Sequence, residues 1–125
     1  MPPSVLIVDD EQAICDNLAA YFEDEGMCAE IAHSGEEAVQ RVKDGSAADI
    51  CIMDLRLPGM DGAQAIVALR EIAPRMRFIV HTGSVQANVS SQLGRCGLQG
   101  IPVFNKPLKD MAQMAEAVHA LWTSR

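Results

Sequence analysis

The chain has 125 residues, a formal charge of −7, and 49% hydrophobic against 22% charged residues. That length suits one domain, residues 1–125, with enough apolar content to fold rather than stay disordered. The acidity argues against direct nucleic-acid binding, which needs a broad cationic face, and no apolar run approaches the roughly 20 residues of a membrane-spanning helix.

The first apolar run, Val5-Leu6-Ile7-Val8, reads as a strand. A helix follows, with Ile14, Leu18, Tyr21 and Phe22 at helical spacing. Ala29 to Ala32 reads as the second strand. Ser34 followed by Glu37 is a capping box that opens a second helix through Val39 and Val42, ended near Gly45. Ile50 to Met53 is the third strand, and a helix from about Ala63 to Ile72 stops before Pro74. Phe78-Ile79-Val80 is the fourth strand. Val85 to Gly100 predicts a short or labile helix, because Val89 and Leu93 are helically spaced but Gly94, Gly97 and Gly100 each cost up to about 1 kcal/mol in a helix interior. Val103-Phe104 is the fifth strand, and a last helix runs from about Leu108 to Trp122, with Met111, Met114, Ala115, Val118 and Leu121 as its buried stripe.

Strands alternating with helices predict an α/β fold with a parallel five-stranded sheet covered by five helices, since parallel strands need right-handed crossovers. Several strand runs are continuously apolar, as expected where both faces are covered. The N-terminal Met1-Pro2-Pro3-Ser4 lacks the basic and apolar regions of a secretion signal. Cys15, Cys28, Cys51 and Cys96 form no C-x-x-C pair, so we expect buried or half-buried thiols in a reducing cytoplasm, behaving as small apolar side chains.

Ligands of such sheets sit beyond the C-terminal strand ends. Strand 1 ends in Asp9-Asp10-Glu11, strand 3 in Asp54, strand 4 in Thr82, and strand 5 just before Lys106-Pro107. Asp9, Asp10 and Asp54 crowded together would repel unless a cation balanced them, and a hard ion such as magnesium suits carboxylate oxygens. The alternative is that Asp9 and Asp10 cap the first helix. An aspartate beside a metal can act as a nucleophile toward phosphorus, giving an acyl phosphate. A nearby ammonium and hydroxyl, from Lys106 and Thr82, would meet the phosphoryl oxygens.

These segments, together with Met53-Asp54-Leu55-Arg56-Leu57-Pro58-Gly59-Met60-Asp61-Gly62, resemble the receiver domains of bacterial response regulators over essentially the whole chain. The resemblance implies a flavodoxin-like doubly wound sheet of order 2-1-3-4-5. It implies Asp54 as phosphoacceptor, Asp10, Asp54 and the main-chain carbonyl of Arg56 as Mg2+ ligands, and Asp9 acting through a bound water. Thr82 and Lys106 would contact the phosphoryl group, and the Lys106-Pro107 bond would be cis. The implied partners are a sensor histidine kinase or histidine phosphotransfer protein, a downstream target or fused output domain, and a phosphorylation-dependent homodimer. No membrane insertion and no turnover of a separate substrate are implied.

One departure stands out. An aromatic residue often sits three positions before the lysine in this family, but here the place is Val103, with Phe104 read as core. Two other functions compete with this reading. A pseudo-receiver working without phosphorylation would not need the full set of acids, hydroxyl and amine. An aspartate-based phosphohydrolase would need a second carboxylate two residues after the nucleophile, where Arg56 stands.

Overall fold

Val5 to Val8 and Ile50 to Met53 are at most 1% exposed, and that two-sided burial puts their strands in the middle of the sheet. The computed structural model describes residues 2–84 and 86–124. Met1, Arg125 and Val85, where the glycine-bearing segment was expected to begin, lie outside the described residues. The elements follow in strict alternation: β1 (Ser4–Val8), α1 (Gln12–Asp24), β2 (Cys28–Ala32), α2 (Gly35–Lys43), β3 (Ile50–Met53), α3 (Gly62–Ile72), β4 (Arg77–Thr82), α4 (Gln86–Arg95), β5 (Val103–Asn105) and α5 (Met111–Thr123). All strand pairs are parallel, as the alternation predicts, in the order β2-β1-β3-β4-β5 that the resemblance implies.

Period-two alternation divides the sheet's side chains between two cores. Val5, Ile7, Ile50, Ile52 and Ile79 pack against Cys15, Leu18 and Phe22 of α1 and Met114 and Val118 of α5. Leu6, Val8, Cys51, Met53, Phe78 and Val80 pack against Ala38, Ile66, Leu69, Val89 and Leu93 of the other three helices. Phe104 joins the α1/α5 core as expected, while Val103 is 37% exposed.

Some expectations change at the helix ends. Helix α5 begins at Met111 rather than Leu108, because Asp110 takes the cap position and its carboxylate accepts from the Ala112 N–H at 2.9 Å. The capping box at Ser34 forms only in part. Ser34 Oγ accepts from the Glu37 N–H, but the Glu37 carboxylate reaches one residue further back, to the His33 N–H. Helix α4 is a ten-residue helix that holds Gly94 inside it, with Gly97 and Gly100 beyond its end. The cysteine expectation fails at one position: Cys15 and Cys51 are buried and Cys96 is half-buried, but Cys28 is exposed because it opens the edge strand β2. Among the described residues, no helix is long and apolar enough to cross a membrane.

Candidate functional site

The acids arrive together because the ladder continues one step past the strands. The register pairs Val8 with Met53, the Asp54 N–H donates to the Val8 carbonyl, and the Asp9 N–H donates to the Ala32 carbonyl. Asp9 and Asp54 are thereby fixed side by side, 1% and 4% exposed. Asp10, the next residue, is exposed at the rim. One carboxylate oxygen from each of Asp9, Asp10 and Asp54 falls within 4.8 Å of the others, an acidic pocket that could hold a metal ion.

Asp9 and Asp10 do not cap α1. The cap position belongs to Glu11, which makes no side-chain cap bond, and Asp9 instead accepts from the Glu11 N–H at 2.9 Å. The carboxylates remain available to the pocket.

Lys106 enters from the far side. Its backbone N–H donates to the Thr82 carbonyl, and its bond to Pro107 is cis. Its Nζ lies 2.8 Å from Asp9, 3.1 Å from Asp54 and 3.3 Å from Glu11. Burial opposes the charge on Lys106, but hydrogen bonds from its ammonium to Asp9 and Asp54 outweigh that and hold its pKa above the usual lysine range. Burial pushes the Asp9 carboxyl above its ordinary value, with Lys106 pulling the other way. One ammonium thus faces a larger anionic charge than it can neutralise.

Thr82 is fully buried at the end of β4. Its hydroxyl exchanges contacts with Ser84, at 3.3 Å to Oγ and 3.2 Å from the N–H, and makes no hydrogen bond to the acids among the described residues. The Arg56 N–H donates to Asp54 Oδ1 at 3.1 Å, so the loop after β3 wraps the carboxylate. Gly59 turns that loop with φ of +72°, a conformation glycine adopts without steric cost.

A family model described as the response regulator receiver domain matches residues 5–119. The chain belongs to that family. The receiver is 34% identical over 103 residues to a response regulator receiver protein of Anaeromyxobacter sp. (strain Fw109-5), covering 82% of this chain and 42% of that protein. It is 30% identical over 98 residues to the uncharacterized transcriptional regulatory protein YesN of Bacillus subtilis (strain 168), covering 76% of this chain and 26% of that protein. The beryllofluoride-activated NtrC4 receiver domain dimer superposes with a TM-score of 0.82 at 25% identity, over 97% of each chain. The receiver therefore spans less than half the length of these two curated relatives.

Three contributors to the site escape sequence reasoning. Glu11 sits beside the two aspartates in sequence, but only the structure shows it paired with Lys106. Glu36 of α2 accepts from the Met60 N–H at 3.1 Å and so ties down the loop after Asp54. No local signal links residues 24 apart. At Gly62 a Cβ would overlap the Asp54 carbonyl oxygen and press on the Leu55 Cα, so only glycine lets α3 start this close to the acid.

His81 is a different surprise. It is 4% exposed, neither ring nitrogen has a partner among the described residues, and burial lowers its pKa to about 4. Its role is packing, not a hydrogen bond to the site.

Proposed function

We propose that this receiver accepts a phosphoryl group on Asp54 from a histidine kinase or histidine phosphotransfer protein. It then passes the change to a downstream protein or to an output domain of a longer chain. The observation that carries this reading is Lys106 Nζ lying within 3.1 Å of both Asp9 and Asp54, with Asp10 completing the acid cluster. A nucleophile, a counter-cation and a metal-competent donor set then share one strand edge.

The donor set fits Mg2+, because clustered carboxylate oxygens are hard anionic ligands that prefer a hard divalent ion. Asp10, Asp54 and the Arg56 main-chain carbonyl would hold it directly, and Asp9 through a water. When bound, Mg2+ supplies positive charge to the phosphoryl oxygens.

The chain's own residues do the rest. An Asp54 oxygen attacks phosphorus, an O–P bond forms, and the P–N bond of the donor phosphohistidine breaks. The imidazole leaves with the electron pair and is reprotonated from water. Lys106 gives up contact with the carboxylates to meet the transferred group, and Thr82 turns its hydroxyl from Ser84 toward a phosphoryl oxygen. Hydrolysis of the acyl phosphate by water resets the domain, so no separate substrate is turned over. In this reading residues 1–125 work as one module in the cytoplasm. The dimeric state of the activated NtrC4 receiver adds a phosphorylation-dependent homodimer to what is expected.

The test is intact mass after incubation with acetyl phosphate and Mg2+. A gain of one phosphoryl mass that disappears in Asp54→Asn supports the proposal. An unchanged mass, under conditions where another receiver is modified, refutes it.

A further inference from the structure

The pole opposite Asp54 carries a second charged feature, of the other sign. A cleft of ≈ 310 Å³ opens there, with Arg70 of α3, Arg77 at the start of β4, and Gln99, Gly100 and Ile101 of the α4–β5 loop on its walls. Its volume is at the lower end of the range of small-ligand sites. Residues 77 to 82 of β4 separate it from Thr82 by about 17 Å, at about 3.3 Å per strand residue.

Two facts mark it as more than a wet gap. Neither guanidinium makes an ion pair or side-chain hydrogen bond among the described residues, in a chain with 17 acidic side chains. The N–H groups of Gln99, Gly100 and Ile101 likewise have no backbone acceptor among the described residues. Two arginines and three residues whose amides have no backbone acceptor among the described residues therefore line one concavity. Donors without acceptors suit an oxyanion, which guanidinium groups grip through paired N–H bonds and backbone amides approach without a side chain in the way.

We propose that this cleft binds a small multivalent oxyanion, a phosphate monoester or a dicarboxylate, between Arg70 and Arg77. The site would give the receiver a second input, independent of phosphorylation at Asp54. A bound anion would tie the α4–β5 loop to β4 just before the strand that leads to Lys106. The proposal stands whether or not Asp54 is a phosphoacceptor.

The test is a 15N NMR titration of the full chain without Mg2+, with inorganic phosphate in one arm and succinate in the other, and sodium chloride at matched ionic strength as control. Saturable shifts at the Gln99, Gly100 and Ile101 amides and the Arg70 and Arg77 Nε–H groups, in either or both anion arms, support the site and tell the two ligand sources apart. Both arginines are exposed, so Arg70→Gln with Arg77→Gln should keep the spectrum elsewhere and lower the affinity at least tenfold. No saturable shift in either arm, equal shifts with chloride, or undiminished affinity in the folded double variant would overturn it.

Discussion

Replacing His81 with leucine tests how this core tolerates a buried polar ring beside the site. The imidazole is 4% exposed and has no hydrogen-bond partner among the described residues, so burial moves its pKa from 6.5 to about 4, helped by the positive charge of Lys106 and opposed by Asp54 and Glu11. The folded value lies below the unfolded one. Above pH 6.5 both states hold a neutral ring and no stability is lost. As the pH falls from 6.5 toward 4, the unfolded chain takes up a proton that the folded chain refuses, and stability declines. The slope approaches about 1.4 kcal/mol per pH unit, a total of about 3 kcal/mol across the window. His81→Leu removes that loss. It also removes an unsatisfied polar group, which alone should stabilise the domain at pH 7.5 by about 1 kcal/mol or more. The raised Asp9 carboxyl titrates in the opposite sense, but it is common to both proteins and largely cancels in the difference. Urea unfolding at pH 7.5, 6.5, 5.5 and 4.5 should show the variant ahead throughout, with the gap widening by about 2.5 kcal/mol by pH 4.5. Parallel stability curves would refute the depressed pKa. A variant less stable than wild type at pH 7.5 would mean that a buried water satisfies the ring.

Lys106→Met leaves Asp9 and Asp54 buried without their counter-charge and should cost about 3 kcal/mol in urea unfolding, with part of the loss recovered by Mg2+; a variant as stable as wild type without added cation would contradict the pairing. Gly62→Ala forces a Cβ onto the backbone carbonyl of Asp54 and should cost about 3 kcal/mol and slow phosphoryl uptake from acetyl phosphate; unchanged unfolding would show that the loop yields freely. Native thiol labelling followed by peptide mass analysis should modify exposed Cys28 first and Cys15 and Cys51 only on unfolding, since burial pushes both thiols up, Cys15 to about 11. Rapid native labelling of Cys51 would place it outside the core.

What the sequence made legible follows from how local each signal is. The continuous apolar runs at Val5 and Ile50 predict strands covered on both faces, because such burial leaves no polar alternation. Helix ends are less legible, because they depend on single capping side chains. The capping box formed by Asp61 and Gln64 starts α3 at Gly62 rather than Ala63. Asp110 likewise shortened α5, since a side chain that caps competes with one that extends. The acid cluster and Lys106 were legible only through topology: nothing local joins Asp9 to Lys106, but a parallel sheet of order β2-β1-β3-β4-β5 gathers all its C-terminal strand ends on one edge. Contacts between a helix and a loop distant in sequence, such as Glu36 to Met60, leave no periodic trace in the sequence.

The hydroxyl of Thr82 shows where such topological reading stops. The sheet delivers its backbone beside Lys106, yet the side chain turns to Ser84 two residues on, a local hydrogen bond that competes with any reach toward the acids. A group that already has a partner needs a stronger one before it moves. An oxygen bearing negative charge is such a partner, since charge-assisted hydrogen bonds are roughly twice as strong as neutral ones. The same competition governs Lys106, whose carboxylate contacts must weaken before it can serve a new anion. For the proposed phosphotransfer, added negative charge at Asp54 must outcompete the bonds that hold both side chains.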